Sequence, residues 1–214
     1  MRSRILVLVM LLVFVLAVGA QAGGGIMAKG VRAGVNIAGH SGDDTDDNHE
    51  SRTAFVGGVF VMYALSPALF LQPELLYSQK GYKWEDEGWE ETGKFTYLEI
   101  PVVLRYMVPM EGAVAPNLFA GIAPAFLLSA EVEAEYDEGM HGLLSATETT
   151  DVKDHTKSID FGIVVGGGVN YDMGSGLLMF DARYTMGMTS IDDSDHDWDV
   201  KNKAITLMVG YGIK

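Results

Sequence analysis

Between residues 69 and 107 the chain alternates apolar and polar side chains with a period of two. From Leu69 to Gly81, Leu69, Leu71, Leu75 and Tyr77 share one face, and Gln72, Glu74, Ser78 and Lys80 share the other. From Tyr97 to Tyr106, Leu98, Ile100, Val102, Leu104 and Tyr106 lie opposite Tyr97, Glu99 and Arg105. Strict alternation over this length predicts a sheet with one apolar and one polar face. The polar face carries charges of both signs, which suits a buried, paired surface, and the apolar face ends in tyrosines. That combination predicts a barrel turned inside out, apolar towards lipid and polar towards the lumen.

The same period recurs along the chain. A first strand is expected over residues 28–38, where Val31, Ala33, Val35 and Ile37 alternate with Gly30, Arg32, Gly34 and Asn36. In a second strand, 53–65, the parity stays open, because Phe55, Val59, Val61 and Tyr63 compete with Val56, Phe60 and Met62. The third and fourth strands are the two already described, joined by an acidic loop from Lys83 to Lys94. The fifth, 117–135, sets Leu118, Ala120, Ile122, Phe126 and Leu128 against Phe119, Gly121, Ala123 and Ala125, and beyond Ser129 it reads as a strand protruding into water. A loop over 137–157 follows. The sixth strand, 158–171, points Ile159, Phe161, Ile163, Val165, Val169 and Tyr171 outward and Asp160, Gly162, Gly166, Gly168 and Asn170 inward. The seventh, 177–188, points Asp181, Arg183 and Thr185 inward, and the eighth, 204–213, points Ile205, Leu207, Val209, Tyr211 and Ile213 outward. Eight strands, with long and short connections strictly alternating, predict an all-β, eight-stranded antiparallel up-and-down transmembrane β-barrel. Pro73, Pro101 and Pro124 fall mid-strand. Proline cannot donate to a ladder, so bulges or missing ladder bonds are expected there.

Charge sharpens this picture. The formal net charge is -14. The four long loops, together with the protruding Glu131, Glu133 and Glu135 of the fifth strand, hold 23 of the 29 acidic residues, and six basic ones fall in or beside the loops, Arg52, Lys83, Lys94, Lys153, Lys157 and Lys201. So acidic a chain repels nucleic acid. The inward strand positions hold Arg32, Glu74, Lys80, Glu99, Arg105, Asp160, Asp181 and Arg183, four acids and four bases. An eight-stranded barrel is just wide enough for side chains to fill. Eight balanced charges in it read as a paired plug, which argues against a through-pore. With no cysteine there is neither a disulfide nor a lipoprotein anchor. At the N-terminus, Arg2 and Arg4 precede an apolar run from Ile5 to Val18 and the small residues Ala20-Gln21-Ala22. This predicts a signal peptide over 1–22, cleaved after Ala22, and a barrel domain over 23–214.

Candidate chemistry is sparse. Asp44, Asp46, Asn48 and Glu50 sit at alternate positions, faintly like a calcium loop, but His49 stands where such a loop needs glycine. Asp192, Asp193, Asp195, Asp197 and Asp199 form a similar cluster. The plain reading is a solvated acidic rim, and the functional one is weak divalent-cation binding that bridges to anionic lipopolysaccharide. His40, His49, His141, His155 and His196 are read as loop residues, and His155, Ser158 and Asp160 could be assembled into a lipid hydrolase's trio, although no spacing marks them as one. Tyrosines near strand ends suit an interfacial girdle. Trp84, Trp89 and Trp198 in the loops suit a collar against headgroups or a partner contact.

The phrases Leu71-Gln-Pro-Glu-Leu-Leu-Tyr-Ser-Gln-Lys-Gly81 and Tyr97-Leu-Glu-Ile-Pro-Val-Val-Leu-Arg-Tyr106 resemble the porin-like outer-membrane β-barrel family, whose members are also called PorT-like. Asp160-Phe-Gly-Ile-Val-Val-Gly-Gly-Gly168 and Asp181-Ala-Arg-Tyr-Thr-Met-Gly187 extend the resemblance, in order, over the whole mature chain. It implies an eight-stranded barrel of the small OmpA/OmpX kind and supplies no activity. The expectation is therefore a monomeric outer-membrane protein with lipid around it, no cofactor, and loops free for lipopolysaccharide or an envelope protein. Its role would be structural or interactive. The competing readings are a narrow porin, a lipid-modifying hydrolase and a soluble lipocalin-like carrier. The last requires Leu71, Leu104 and Phe180 to be lumenal.

Overall fold

A computed structural model describes residues 25–42, 45, 50–86, 89–137, 145–194 and 198–214. The expected signal peptide lies outside the described residues. The strands are β1 (Ile26–Ser41), β2 (Glu50–Ala64), β3 (Leu69–Asp86), β4 (Trp89–Glu99), β5 (Val102–Met107), β6 (Val114–Asp137), β7 (Ser145–Asp151), β8 (Ile159–Asp172), β9 (Gly176–Gly187) and β10 (Lys201–Ile213). Every pairing among these strands is antiparallel, β8 pairs with β6 while β7 pairs with β6 alone, and β1 closes the ring against β10, from Lys29 opposite Ile213 to Ser41 opposite Lys201. β4 and β5 are two halves of one stave, since β3 pairs with β4 from Leu76 opposite Glu99 upward and with β5 from Pro73 opposite Val102 downward. The barrel thus has eight staves, and closure leaves no edge within the wall.

The wall is inverted relative to a soluble protein. Leu104 is 44% exposed and Phe180 48%, whereas Arg105, one residue from Leu104, is 0% exposed. The carrier reading required the opposite arrangement, and it fails here. The open parity of β2 is settled by its partners: Phe55 and Val59 face out, and Val56, Phe60 and Met62 are buried inside. Tyr106, Tyr171 and Tyr211 are exposed near the short-turn end, as an interfacial girdle requires.

The prolines produce no bulge. They fall in one transverse row across three adjacent staves. The Glu74 amide donates to the Pro101 carbonyl at 2.8 Å, and the Ile100 amide to the Pro124 carbonyl at 2.9 Å. Neither proline can return the bond, so β4 and β5 separate at Ile100-Pro101 while the register continues on both sides. The bulges lie elsewhere, between Ile26 and Ala28 in the β1–β2 pairing, beside Thr96 and Tyr97 in the β4–β6 pairing, and in the β2–β3 pairing. β2 carries one extra residue between Ser51 and Val56, and there the Arg52 guanidinium donates to the Lys80 carbonyl at 2.8 Å.

Two expected loops are strand. β3 and β4 continue as a paired hairpin to Asp86 and Trp89, so most of the Lys83–Lys94 segment is sheet. The 137–157 segment contains β7, which pairs only with the protruding part of β6. β3, β4, β6 and β7 therefore extend beyond the barrel as an acidic sheet. Its polar residues alternate on both faces, a pattern without the apolar side that marked the other strands. His40 also proves to be the penultimate residue of β1, and it is buried.

Candidate functional site

The eight predicted lumen charges are all buried, and the structure sorts them into two groups. The lower group gathers Arg32 from β1, Glu74 from β3, Arg105 from β5, and Asp181 and Arg183 from β9. Arg105 grips Asp181 with two parallel bonds of 2.9 and 2.7 Å. Arg183 grips Glu74 likewise, at 3.1 Å for each bond. Arg32 joins the two halves, donating to Glu74 at 2.5 Å and to Asp181. Planar guanidiniums suit this work because two parallel donors match two carboxylate oxygens. Neutral amides complete the group: Gln72 donates to Glu74 at 2.6 Å and accepts from the Arg105 Nε at 3.1 Å, while Asn117 accepts from Arg105 and donates to Asn170 at 3.3 Å.

Phe119 sits between two of the cations. Arg105 lies 4.5 Å and Arg183 5.5 Å from its ring centre, a placement that favours both charges. Room for these groups comes from β8. A side chain at Gly166 would overlap the Phe119 ring, and one at Gly168 would overlap the Asp181 carboxylate.

The upper group is smaller. Lys80 pairs with Glu99 at 2.5 Å and lies 5.4 Å from the Tyr97 ring centre. Asp160 accepts from Asn202 at 2.8 Å and from Thr189 at 3.1 Å. Between the groups runs a neutral belt in which Thr206 donates to Asn36 at 2.8 Å and Asn36 donates to Ser78 at 2.9 Å. The lower group has one cation in excess and the upper one carboxylate in excess. Glu99 attracts Arg183 across the gap, so the eight charges balance as one network.

Apolar clusters lie towards both ends of the charge network. At the short-turn end Phe60, Met62, Phe70, Met107, Leu177 and Met179 pack together. At the loop end Phe95, Tyr97, Ala125, Leu127 and Ala130 do so. Neither layer was expected from the sequence, nor were Gln72, Asn117, Asn170 and Phe119 placed in the network. For Gln72, Asn117, Asn170 and Phe119 the available signal was parity, because each falls at an inward position of a strand whose period was already clear.

The other candidates are not brought together. Asp44, Asp46, Asn48, Asp195 and Asp197 lie outside the described residues, and Glu50 begins β2 opposite Lys83. Among the described residues no three potential ligands cluster to hold a metal ion. His155 ends a short 3-10 turn and is exposed, while Asp160 is spent on Thr189 and Asn202 in the lumen. No hydrogen bond among the described residues joins His155 to Ser158 or Asp160. Trp84 and Trp89 stack edge to face at 4.5 Å on the protruding hairpin, and there the Tyr82 hydroxyl donates to Glu91 at 2.5 Å. Burial and that carboxylate hold the Tyr82 phenol protonated beyond the ordinary tyrosine range.

The family described as "Outer membrane protein beta-barrel domain" matches residues 20–193. No curated protein matches the chain. Among solved structures the chain is similar to Neisserial surface protein A, with 17% identity, 87% of this chain and 96% of that chain covered, and a TM-score of 0.48. It is also similar to Ail, the attachment invasion locus protein of Yersinia pestis, with 14% identity, coverage of 87% and 98%, and a TM-score of 0.43. A third is the outer membrane protein OprG of Pseudomonas aeruginosa, with 11% identity, coverage of 89% and 97%, and a TM-score of 0.44.

Proposed function

The chain belongs to the outer membrane protein beta-barrel domain family, and on that basis we propose that it is a sealed envelope scaffold, acting as a monomer that presents its protruding acidic sheet to lipopolysaccharide or to an envelope partner. The observation that carries this reading is the filled lumen. A solute path would have to cross the apolar floor, the guanidinium–carboxylate network and the upper aromatic layer, and each consists of buried side chains. Opening the network would also strand charges in a low-dielectric interior at several kcal/mol each. Among the described residues the porin reading has no continuous polar path in its favour. Among the described residues His155 is bonded neither to Ser158 nor to Asp160, so that trio does not form the geometry that defines a hydrolase site.

The test is single-channel conductance of the mature protein, refolded from detergent into a planar bilayer. A folded, heat-modifiable and electrically silent barrel is expected. A steady conductance, abolished by bulky substitutions beside Arg105, would make the protein a pore.

A further inference from the structure

The loop end of the barrel holds a cavity of about 260 Å³ above the upper apolar layer. It is built from segments far apart in the chain. The His40 ring lies 4.8 Å from Tyr82 and 5.6 Å from Phe95, centre to centre, and these three rings line one part of it. Val132, Val152, Ile191 and Val200 supply apolar wall, and Trp198, 52% exposed, stands at the opening. The enclosure is stitched by backbone bonds: Lys157 donates to Ile191 at 2.7 Å, Asp193 to His155 at 2.9 Å, and Ile191 to Val200 at 2.8 Å.

One lining carboxylate stands out. Asp192 is oriented by Ser194, which donates to it at 2.7 Å, and by the Trp198 amide at 3.2 Å. Among the described residues it has no salt-bridge partner. Two nearby lysines are engaged elsewhere, Lys201 with Asp199 at 2.7 Å and Lys153 with the Leu128 carbonyl. Aromatic faces attract cations through the ring quadrupole, most strongly when the cation is shielded from water. A fixed carboxylate beside them adds direct attraction, and the acidic mouth raises the local concentration of cations. The volume lies just under the range of roughly 300–1,000 Å³ that holds drug-sized ligands, which limits an occupant to about one ring with a short arm.

We propose that this cavity binds a small organic cation, a protonated primary amine on an aromatic body, with its ring against Phe95 and Tyr82 and its ammonium at Asp192. The ligand would rest outside the layer that closes the lumen. The proposal therefore goes beyond the scaffold reading and stands whether or not the barrel conducts.

Calorimetric titration of the protein in lipid nanodiscs tests it, with 2-phenylethylamine, 2-phenylethanol and phenylacetate as probes and empty nanodiscs as the blank. Phenylethylamine should bind about ten-fold more tightly than the alcohol, a difference of ~1.4 kcal/mol, and phenylacetate most weakly. Asp192→Asn should bring the amine to the level of the alcohol. Filling the cavity with Val152→Trp, or with Val132→Trp if the first variant loses heat-modifiable migration, should remove binding of both. Equal binding of the three probes, no binding of the amine, or amine binding unchanged in Asp192→Asn and in the filled variant would overturn the proposal.

Discussion

Glu74 shows how much one inward side chain can hold. It accepts from Arg32, from both terminal nitrogens of Arg183 and from Gln72, all within 3.1 Å. Removing it leaves two guanidiniums facing each other in a dry lumen, because Asp181 is already shared between Arg105 and Arg32. Breaking a buried pair at one partner costs about 3–5 kcal/mol. Glu74→Ala should therefore lose about that much in urea unfolding from lipid vesicles. A loss below about 1 kcal/mol would mean that the carboxylate is not the common acceptor of the network. The charged members of this network were legible in the sequence, since an Arg or Glu at an inward position has no other reading in a membrane wall. Phe119 and Asn117 were not. An aromatic or an amide at such a position is compatible with many neighbours, and only the cross-barrel approach of Arg105 gives each its role.

The strands divide in the same way. Across the wall, apolar-out and polar-in alternation predicted β1, β3, β8, β9 and β10 with the correct faces. Above the wall both faces meet water, the alternation carries no contrast, and the Lys83–Lys94 segment read as a loop although it forms a paired hairpin. Tyr82 anchors that hairpin through Glu91 and the ring contacts with His40 and Phe95. Its pKa in the fold lies above its unfolded value, so the neutral phenol is the stabilising form. That contribution is complete below the ordinary tyrosine pKa of about 10 and is lost as the pH rises towards the folded value. In a spectrophotometric titration, Tyr82→Phe should lack one late tyrosine step that the wild-type protein shows. Loss of an ordinary step instead would place the phenol in water. At the proline row the expectation of missing ladder bonds holds, and that of bulges does not. Glu74 and Ile100 still donate to Pro101 and Pro124, so one bond of each pair survives to keep the register.

Taken together, the staves enclose three buried layers rather than one. The apolar floor and the upper aromatic layer each touch the charge network between them, the Phe60 ring centre lying 5.9 Å from Arg32 and that of Tyr97 5.4 Å from Lys80. Phe119→Ala removes the ring between Arg105 and Arg183, and a buried Phe→Ala change costs about 3–5 kcal/mol. The variant should unfold at lower urea concentration yet remain silent in a planar bilayer, because the floor and cap still close the bore. Conductance in this single variant would show that the network alone bars the lumen. The protruding sheet has the opposite character. Like charges face each other there, as Glu90 does Glu135 and Glu131 does Asp151. That arrangement opposes pairing and suits a surface that meets cations or basic partners.

Periodicity was enough to establish eight staves, an inverted wall and, β2 apart, the facing of the staves, because each crosses a boundary between lipid and lumen and must satisfy both at every second residue. The balance of four inward acids and four inward bases likewise foretold a paired interior. Which acid meets which base depended on closure. Arg32 reaches Asp181 only because β1 and β9 both flank β10, 149 positions apart in the chain. The same holds for the mouth cavity, whose aromatic floor and carboxylate come from β1, β3, β4 and the segment before β10. No local pattern carries such a meeting. It follows from curling the sheet until its first and last strands bond.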